Sequence, residues 1–370
     1  MTNVKVTPLT DLHRASGAKM VEFAGYLMPV SYGSILAEHR AVREQVGIFD
    51  VSHMGEFVIR GKGARRLVND IITNDCSRLA EGALQYSVMC REDGTVVDDL
   101  LVYVVRDDQV LLVVNASNIE KDLEHVLTFD RNGADVENVS DECALLAVQG
   151  PRCRDVLTSC PLFDDVREQV ERTAYYHGFS FTHGGSEILV SRTGYTGELG
   201  FEILVPSNLA VEFWEAITQA GRDYGLVPVG LGARDTLRFE ASFCLFGHEL
   251  NDDTSPLEVG LGWVVKLNKE RFRGIETLRQ EKKNGPKRAL VGFELEGRNI
   301  ARQGYTVLKD GVEIGKVTSG AFSPTMKKSL CMALIERSAK GTEGVYEIAI
   351  RGKTATARLT PLPFYRSRAK

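Results

Sequence analysis

The texture of this chain changes at Glu281-Lys282-Lys283-Asn284-Gly285-Pro286-Lys287-Arg288, a polar run that contains a Gly-Pro pair. Beyond it, strand signals dominate. Tyr305 to Leu308 and Val312 to Val317 flank Lys309-Asp310-Gly311, and Val345 to Ile350 and Thr354 to Leu359 flank Arg351-Gly352-Lys353. An Asp-Gly pair supplies the positive φ that a tight hairpin needs. Short strands at this spacing predict a small antiparallel barrel or sandwich.

Before the run the pattern is mixed. Gly63 to Asp75 reads as a helix. Ser117 to Phe129 reads as another, with Ser117 and Glu120 as a capping box and Ile119, Leu123, Val126 and Leu127 on one apolar face. Pro206-Ser207 opens a third, with Leu209, Phe213, Trp214 and Ile217 inward. Strands are predicted at Glu56 to Arg60, Leu100 to Val105, Val110 to Val114, Leu145 to Gln149 and Ile188 to Ser191. Helices and strands do not alternate one for one, so the fold class is α+β with antiparallel layers, not a doubly wound parallel sheet.

A length of 370 residues suits two or three domains. The seven cysteines are scattered, odd in number and without a Cys-x-x-Cys pair, which predicts reduced thiols in a cytoplasmic protein and no metal site. No positive segment followed by an apolar run opens the chain, and no apolar run is long enough to span a membrane. The net charge of −5 conceals an asymmetry: residues 282–370 hold 18 Lys+Arg against 7 Asp+Glu. A basic surface of this kind suits an anionic ligand or an acidic partner. No basic helix with interleaved aromatics is present, so nucleic acid is not the expected partner. Markers of dinucleotide binding, phosphate-loop hydrolysis, zinc hydrolysis and the serine nucleophile are all missing.

Several segments carry residues suited to a polar organic ligand. In Ser191-Arg192-Thr193-Gly194-Tyr195-Thr196-Gly197-Glu198-Leu199-Gly200-Phe201-Glu202, three glycines at a three-residue step permit positive φ or close backbone approach. Without a ligand the same pattern is a bulged hairpin. Asp98 and Asp99 lead into an apolar strand. Successive strand residues face opposite ways, so at most one of the two enters a given pocket. A carboxylate there also serves as a plain turn stabiliser. Asn115 closes a strand at a helix start, as a ligand contact or an Asx turn. Arg234 stands among glycines as a candidate clamp for a carboxylate or carbonyl, while Asp235 and Arg238 suit a solvated ion pair. His53 reads as a core histidine, and Tyr86 reads as packing. Arg366 follows an aromatic anchor, Phe364-Tyr365.

The order of these motifs resembles one family. Phe49-Asp50-Val51-Ser52-His53-Met54, Asp98-Asp99-Leu100, Val114-Asn115-Ala116-Ser117, Gln149-Gly150-Pro151, Arg192-Thr193-Gly194-Tyr195-Thr196-Gly197-Glu198, Gly232-Ala233-Arg234-Asp235-Thr236-Leu237-Arg238 and Ser323-Pro324-Thr325 follow each other as in the T-proteins of the glycine cleavage system, which are tetrahydrofolate-dependent aminomethyltransferases. The resemblance spans about Thr7 to Arg366; Gly25-Tyr26 departs from an expected Gly-Trp. It implies three domains in a cloverleaf around a central folate channel. Residues 1–54 plus 140–245 would form a discontinuous α+β domain. Residues 55–139 plus 246–281 would form a ferredoxin-like α+β domain, and 282–370 an antiparallel β-barrel.

The implied reaction moves the methylene of an aminomethyl group from the lipoyl arm of H-protein to tetrahydrofolate, releasing ammonia. The resemblance places the catalytic aspartate at Asp98, hydrogen-bonded to the folate's bridging nitrogen, and folate contacts at Tyr86, Asn115, Tyr195, Glu202, Arg234, Arg366 and Met54. It also gives the basic C-terminal segment a specific role, receiving an acidic H-protein or a polyglutamyl folate tail. The alternatives are a non-enzymatic folate-binding module and a folate-dependent demethylase. The Lys-Gly-Cys signature of the iron–sulfur relatives is absent, with Lys269-Glu270-Arg271-Phe272-Arg273-Gly274 in the comparable region.

Overall fold

Gly285, at φ +81°, ends the helix Ile275–Asn284, and Pro286 follows. Lys282 and Lys283 thus belong to a last helical turn, where positive charge complements the helix dipole, and not to a free linker. The computed structural model describes residues 4–297 and 299–367.

After Gly285 six antiparallel strands close on themselves in the order Arg288–Leu295, Lys328–Glu336, Val312–Ser323, Thr306–Lys309, Tyr346–Ile350 and Lys353–Thr360. Both expected hairpins are present. Asp310 and Gly311 (φ 50° and 81°) and Arg351 and Gly352 (φ 49° and 79°) form their turns. Inward residues such as Phe293, Val307, Ala333 and Ile348 fill the barrel, which resolves the barrel-or-sandwich choice.

Ahead of the barrel lie two larger sheets, one nested in the other along the chain. The chain leaves the six-stranded sheet after Val46–Asp50 and builds a five-stranded antiparallel sheet. Its order is Leu84–Cys90, Val96–Arg106, Gln109–Val114, Gly55–Arg60 and Asp135–Asn138. The chain then returns to the first sheet at Cys143–Gln149. The helices Ala64–Ile71 and Ile119–Leu127 bury Leu67, Val68 and Val126 against Ile59, Val102 and Leu112 on one face of the five-stranded sheet. Its other face, through Val58, Tyr103, Leu111 and Val113, packs on Leu145 and Ala147 of the six-stranded sheet. The far side of the six-stranded sheet is covered by Cys153–Ser159 and Ala210–Ala220, with Phe213, Trp214 and Ile217 inward as expected.

One capping expectation fails. Ser117 lies inside a short 3₁₀ turn, Ala116–Asn118, and the helix begins at Ile119 without a side-chain cap. No helix among the described residues is long and apolar enough to cross a membrane.

Candidate active site

A cavity of about 550 Å³ opens where the two sheets, the helix Leu231–Glu240 and the barrel meet. Tyr86, Asp99 and Asn115 reach it from the five-stranded sheet, Glu202 from the strand Gly200–Pro206, Arg234 from the helix and Leu290 from the barrel. That volume and its largely apolar lining with a few convergent polar groups suit a small organic ligand. A groove of about 630 Å³ on the barrel is different: both of its carboxylates are already paired, Glu294 with Lys328 at 2.7 Å and Glu296 with Arg358 at 2.8 Å.

Strand alternation decides the aspartate pair. Asp98 shares a face with Leu100 and Val102, the face covered by helices, and is fully buried. Asp99 shares a face with Leu101 and Tyr103 and borders the cavity. The structure therefore corrects the expectation for Asp98. Its oxygens never reach the cavity, because they are occupied by Asn118 Nδ2 at 2.6 Å, Asn115 Nδ2 at 2.8 Å and the Asn115 backbone N–H at 3.0 Å.

Asp99 has the setting that was expected for its neighbour. Tyr86 donates its hydroxyl to Asp99 Oδ2 at 2.7 Å, and Asn115 Nδ2 donates to Oδ1 at 2.9 Å. Burial, and then the Asp98 charge behind it, push the Asp99 carboxyl up to about 7. Asp99 can thus hold or release a proton near neutrality. Burial and the adjoining Asp99 raise the Tyr86 phenol well above its usual range, so it remains a donor. The Tyr86 ring stacks on Trp263 at 5.9 Å, and Trp263 is 59% exposed at the cavity edge.

Glu202 and Arg234 border the cavity without forming an ion pair among the described residues. Glu202 accepts from Thr193 Oγ1, and its pKa is raised by burial against the pull of Thr193 and Arg234. The Arg234 guanidinium lies 4.9 Å from the Tyr195 ring centroid. Tyr195 in turn stacks on Phe243 at 5.7 Å and donates its hydroxyl to the Cys244 carbonyl. A carboxylate and a guanidinium left unpaired in one cavity can each bind a complementary edge of a ligand. Met54 also lines the cavity.

Arg366 does not. The tail contributes Leu362 and Pro363, then Phe364 sinks among Phe239, Leu330 and Met332, and the Tyr365 N–H donates to the Glu240 carbonyl at 2.8 Å. Arg366 lies beyond that anchor and is exposed. Arg238 departs from expectation too. It is only 1% exposed and joins Asp235 at 2.8 Å to Glu249 at 2.8 Å and Ser319 Oγ at 3.0 Å, so it ties its helix to the barrel. His53 is buried, and burial followed by the Arg234 charge holds it neutral, at about 3.

Sequence reasoning missed Tyr175, Tyr176 and Trp263 as cavity residues. The Tyr-Tyr pair ahead of a strand was a usable signal. Trp263, in the short turn Leu261–Val264, gave none.

Comparison with known proteins shows what the whole chain is similar to. Residues 9–269 match the family described as the GCVT N-terminal domain, and residues 288–366 match the glycine cleavage T-protein C-terminal barrel domain. The chain is 47% identical over 369 residues to an aminomethyltransferase of Desulforamulus reducens, covering 99% of both chains. It is 47% identical over 367 residues to one of Thermotoga neapolitana, covering 98% of both. The crystal structure of glycine cleavage system aminomethyltransferase T from Bartonella henselae matches with a TM-score of 0.90 at 31% identity, over 99% of both chains.

Proposed function

The chain belongs to the glycine cleavage T-protein family and is an aminomethyltransferase; on that premise we propose that Asp99 is its catalytic residue and tetrahydrofolate its one-carbon acceptor. The observation that carries this reading is the placement of Asp99 on the cavity, between the Tyr86 hydroxyl and the Asn115 amide.

Tetrahydrofolate, when bound, supplies the amines that take up the one-carbon unit. The chain's own groups do the rest. Glu202 accepts from an N–H edge of the pterin, and Arg234 donates to its carbonyl or to a carboxylate. Met54, Tyr195 and the apolar lining exclude water around the ring system. Asp99 accepts the hydrogen bond of the bridging amine at a carboxylate oxygen, which raises that amine's nucleophilicity and offsets positive charge on the transferred carbon. Tyr86 and Asn115 hold the Asp99 carboxyl in one orientation while it does so. Acid–base help of this kind is worth about 10²–10⁴ in rate. Holding two substrates in line contributes up to roughly 7–11 kcal/mol.

The donor is the aminomethylated lipoyl arm of the H-protein. The seven thiols are all unpaired, in keeping with a cytoplasmic location. The binding reading is tested by titrating tetrahydrofolate into Arg234→Met, where loss of a charged hydrogen bond lowers affinity about 10- to 100-fold. Unchanged affinity in a folded Arg234→Met protein contradicts the assigned pose.

A further inference from the structure

Behind Asp99 lies a carboxyl pair that this reaction does not use directly. Asp98 from the strand Val96–Arg106 and Asp122 from the helix Ile119–Leu127 are both fully buried. Asp98 accepts three hydrogen bonds, two on Oδ1 and one on Oδ2. Neither Asp122 oxygen meets a donor among the described residues, and the side chain it reaches is Asp98. Two buried carboxylates in contact cannot both be ionised. Three donors mark Asp98 as the anion, so the proton belongs to Asp122. Burial and the Asp98 charge accordingly push the Asp122 carboxyl up to about 11.

We propose that Asp122 is a positioning residue: as a neutral acid it donates its O–H to Asp98, and the Asp98 anion holds the Asn115 amide against Asp99 and sets the charge that Asp99 feels. The link is the Asn115 Nδ2 group, whose two hydrogens are divided between the neighbours. One serves Asp98 Oδ1 at 2.8 Å and the other serves Asp99, with Oδ1 at 2.9 Å and the carbonyl oxygen at 3.1 Å. Without a donor at position 122, Asp98 is a buried anion one hydrogen bond short, and burial then disfavours its charge more strongly. The charge that repels ionisation of Asp99 is thereby weakened. The other groups acting on these carboxyls are Tyr86, Tyr195 and Cys244 around Asp99 and Lys121 beside Asp122; a substitution at 122 leaves all of them in place.

The inference rests on Asp99 being the catalytic residue, so one arm of its test is independent of activity. In substrate-free protein at pH 9, where Asp99 is ionised, the infrared difference spectrum between wild type and Asp122→Asn should show one protonated-carboxylic-acid band lost. The difference is needed because burial raises Glu56 as well. In the second arm, Asp122→Asn, whose amide still donates to Asp98, keeps the limb of the kcat–pH profile that reports Asp99. Asp122→Leu moves that limb about one unit toward lower pH and lowers kcat roughly tenfold. Asp98→Asn removes that charge outright and moves the limb the same way, which decides the matter if Asp122→Leu does not fold. A purely structural Asp122 would lower the melting temperature and leave the limb alone. No lost band, or an unmoved limb in folded Asp122→Leu or Asp98→Asn, overturns the proposal. A failure of Asp99 as the catalytic residue would leave the infrared result intact.

Discussion

Gly194 and Gly200 hold the Gln149 side chain between them. A Cβ at 194 would stand 1.9 Å from Gln149 Oε1, and one at 200 would stand 2.3 Å from Nε2. The space is used: Nε2 donates to the Thr193 carbonyl at 3.1 Å, and Oε1 accepts from Thr196 Oγ1 at 2.9 Å. These bonds pin the loop that carries Tyr195 into the cavity. The close approach expected of these glycines is therefore to a protein side chain. Gly194→Ala should cost about 1–3 kcal/mol in thermal unfolding. In a Gln149→Ala background the same change should cost clearly less. Equal losses in both backgrounds would contradict this account.

The helix Ala64–Ile71 shows how an element's end can be fixed from far along the chain. Lys269 Nζ donates to the carbonyls of Asn69, Ile72 and Asn74 at 2.5, 2.7 and 2.7 Å. Lys269→Met leaves these carbonyls without their donor and should destabilise the protein by about 1–3 kcal/mol in urea unfolding; an unchanged midpoint would refute the cap. No local signal foretells a cap of this kind, and the predicted helix accordingly ran past Ile71 to Asp75. The barrel was more legible, because its hairpins announce themselves through positive-φ pairs. At the site, alternation dictated that Asp98 and Asp99 part ways. It could not say which one faces the cavity, because that depends on the side of the sheet the helix Ile119–Leu127 covers. The expected capping box fails because Ser117 lies inside the 3₁₀ turn; the residue that precedes the helix is Asn118, whose side chain bonds Asp98 instead of capping. The family resemblance put Tyr86, Asn115, Tyr195, Glu202, Arg234 and Met54 at positions that do line the cavity, while Arg366 was displaced by the anchoring of Phe364 and Tyr365.

Across the whole molecule, a buried charge network joins the body to the barrel and tail. Arg43, from the helix Ile35–Glu44, binds Glu198 and Glu240, each at 2.9 Å, and lies over the Tyr365 ring at 4.0 Å. Glu240 accepts from the Thr325 N–H at 3.0 Å, and Thr325 Oγ1 lies 2.9 Å from His39 Nε2. Burial opposes ionisation of Glu240, but His39, Ser323 and Arg43 outweigh it and hold the carboxyl down at about 2, against 4.5 when unperturbed. The unfolded chain therefore binds the extra proton first as pH falls. The stabilisation is full above about 4.5 and is lost between there and 2. Glu240→Gln should cost on the order of 3 kcal/mol at pH 7 and distinctly less at pH 3, read as melting temperature; equal losses at the two pH values would contradict the network's role. Activity is a property of the same scale, since the cavity borrows walls from both sheets, the helix and the barrel. The most direct test is single-turnover ammonia release from aminomethylated H-protein with saturating tetrahydrofolate, comparing wild type with Asp99→Asn. The account predicts a loss of about 10²–10⁴-fold with tetrahydrofolate binding retained; an Asp99→Asn protein that turns over at the wild-type rate would contradict it.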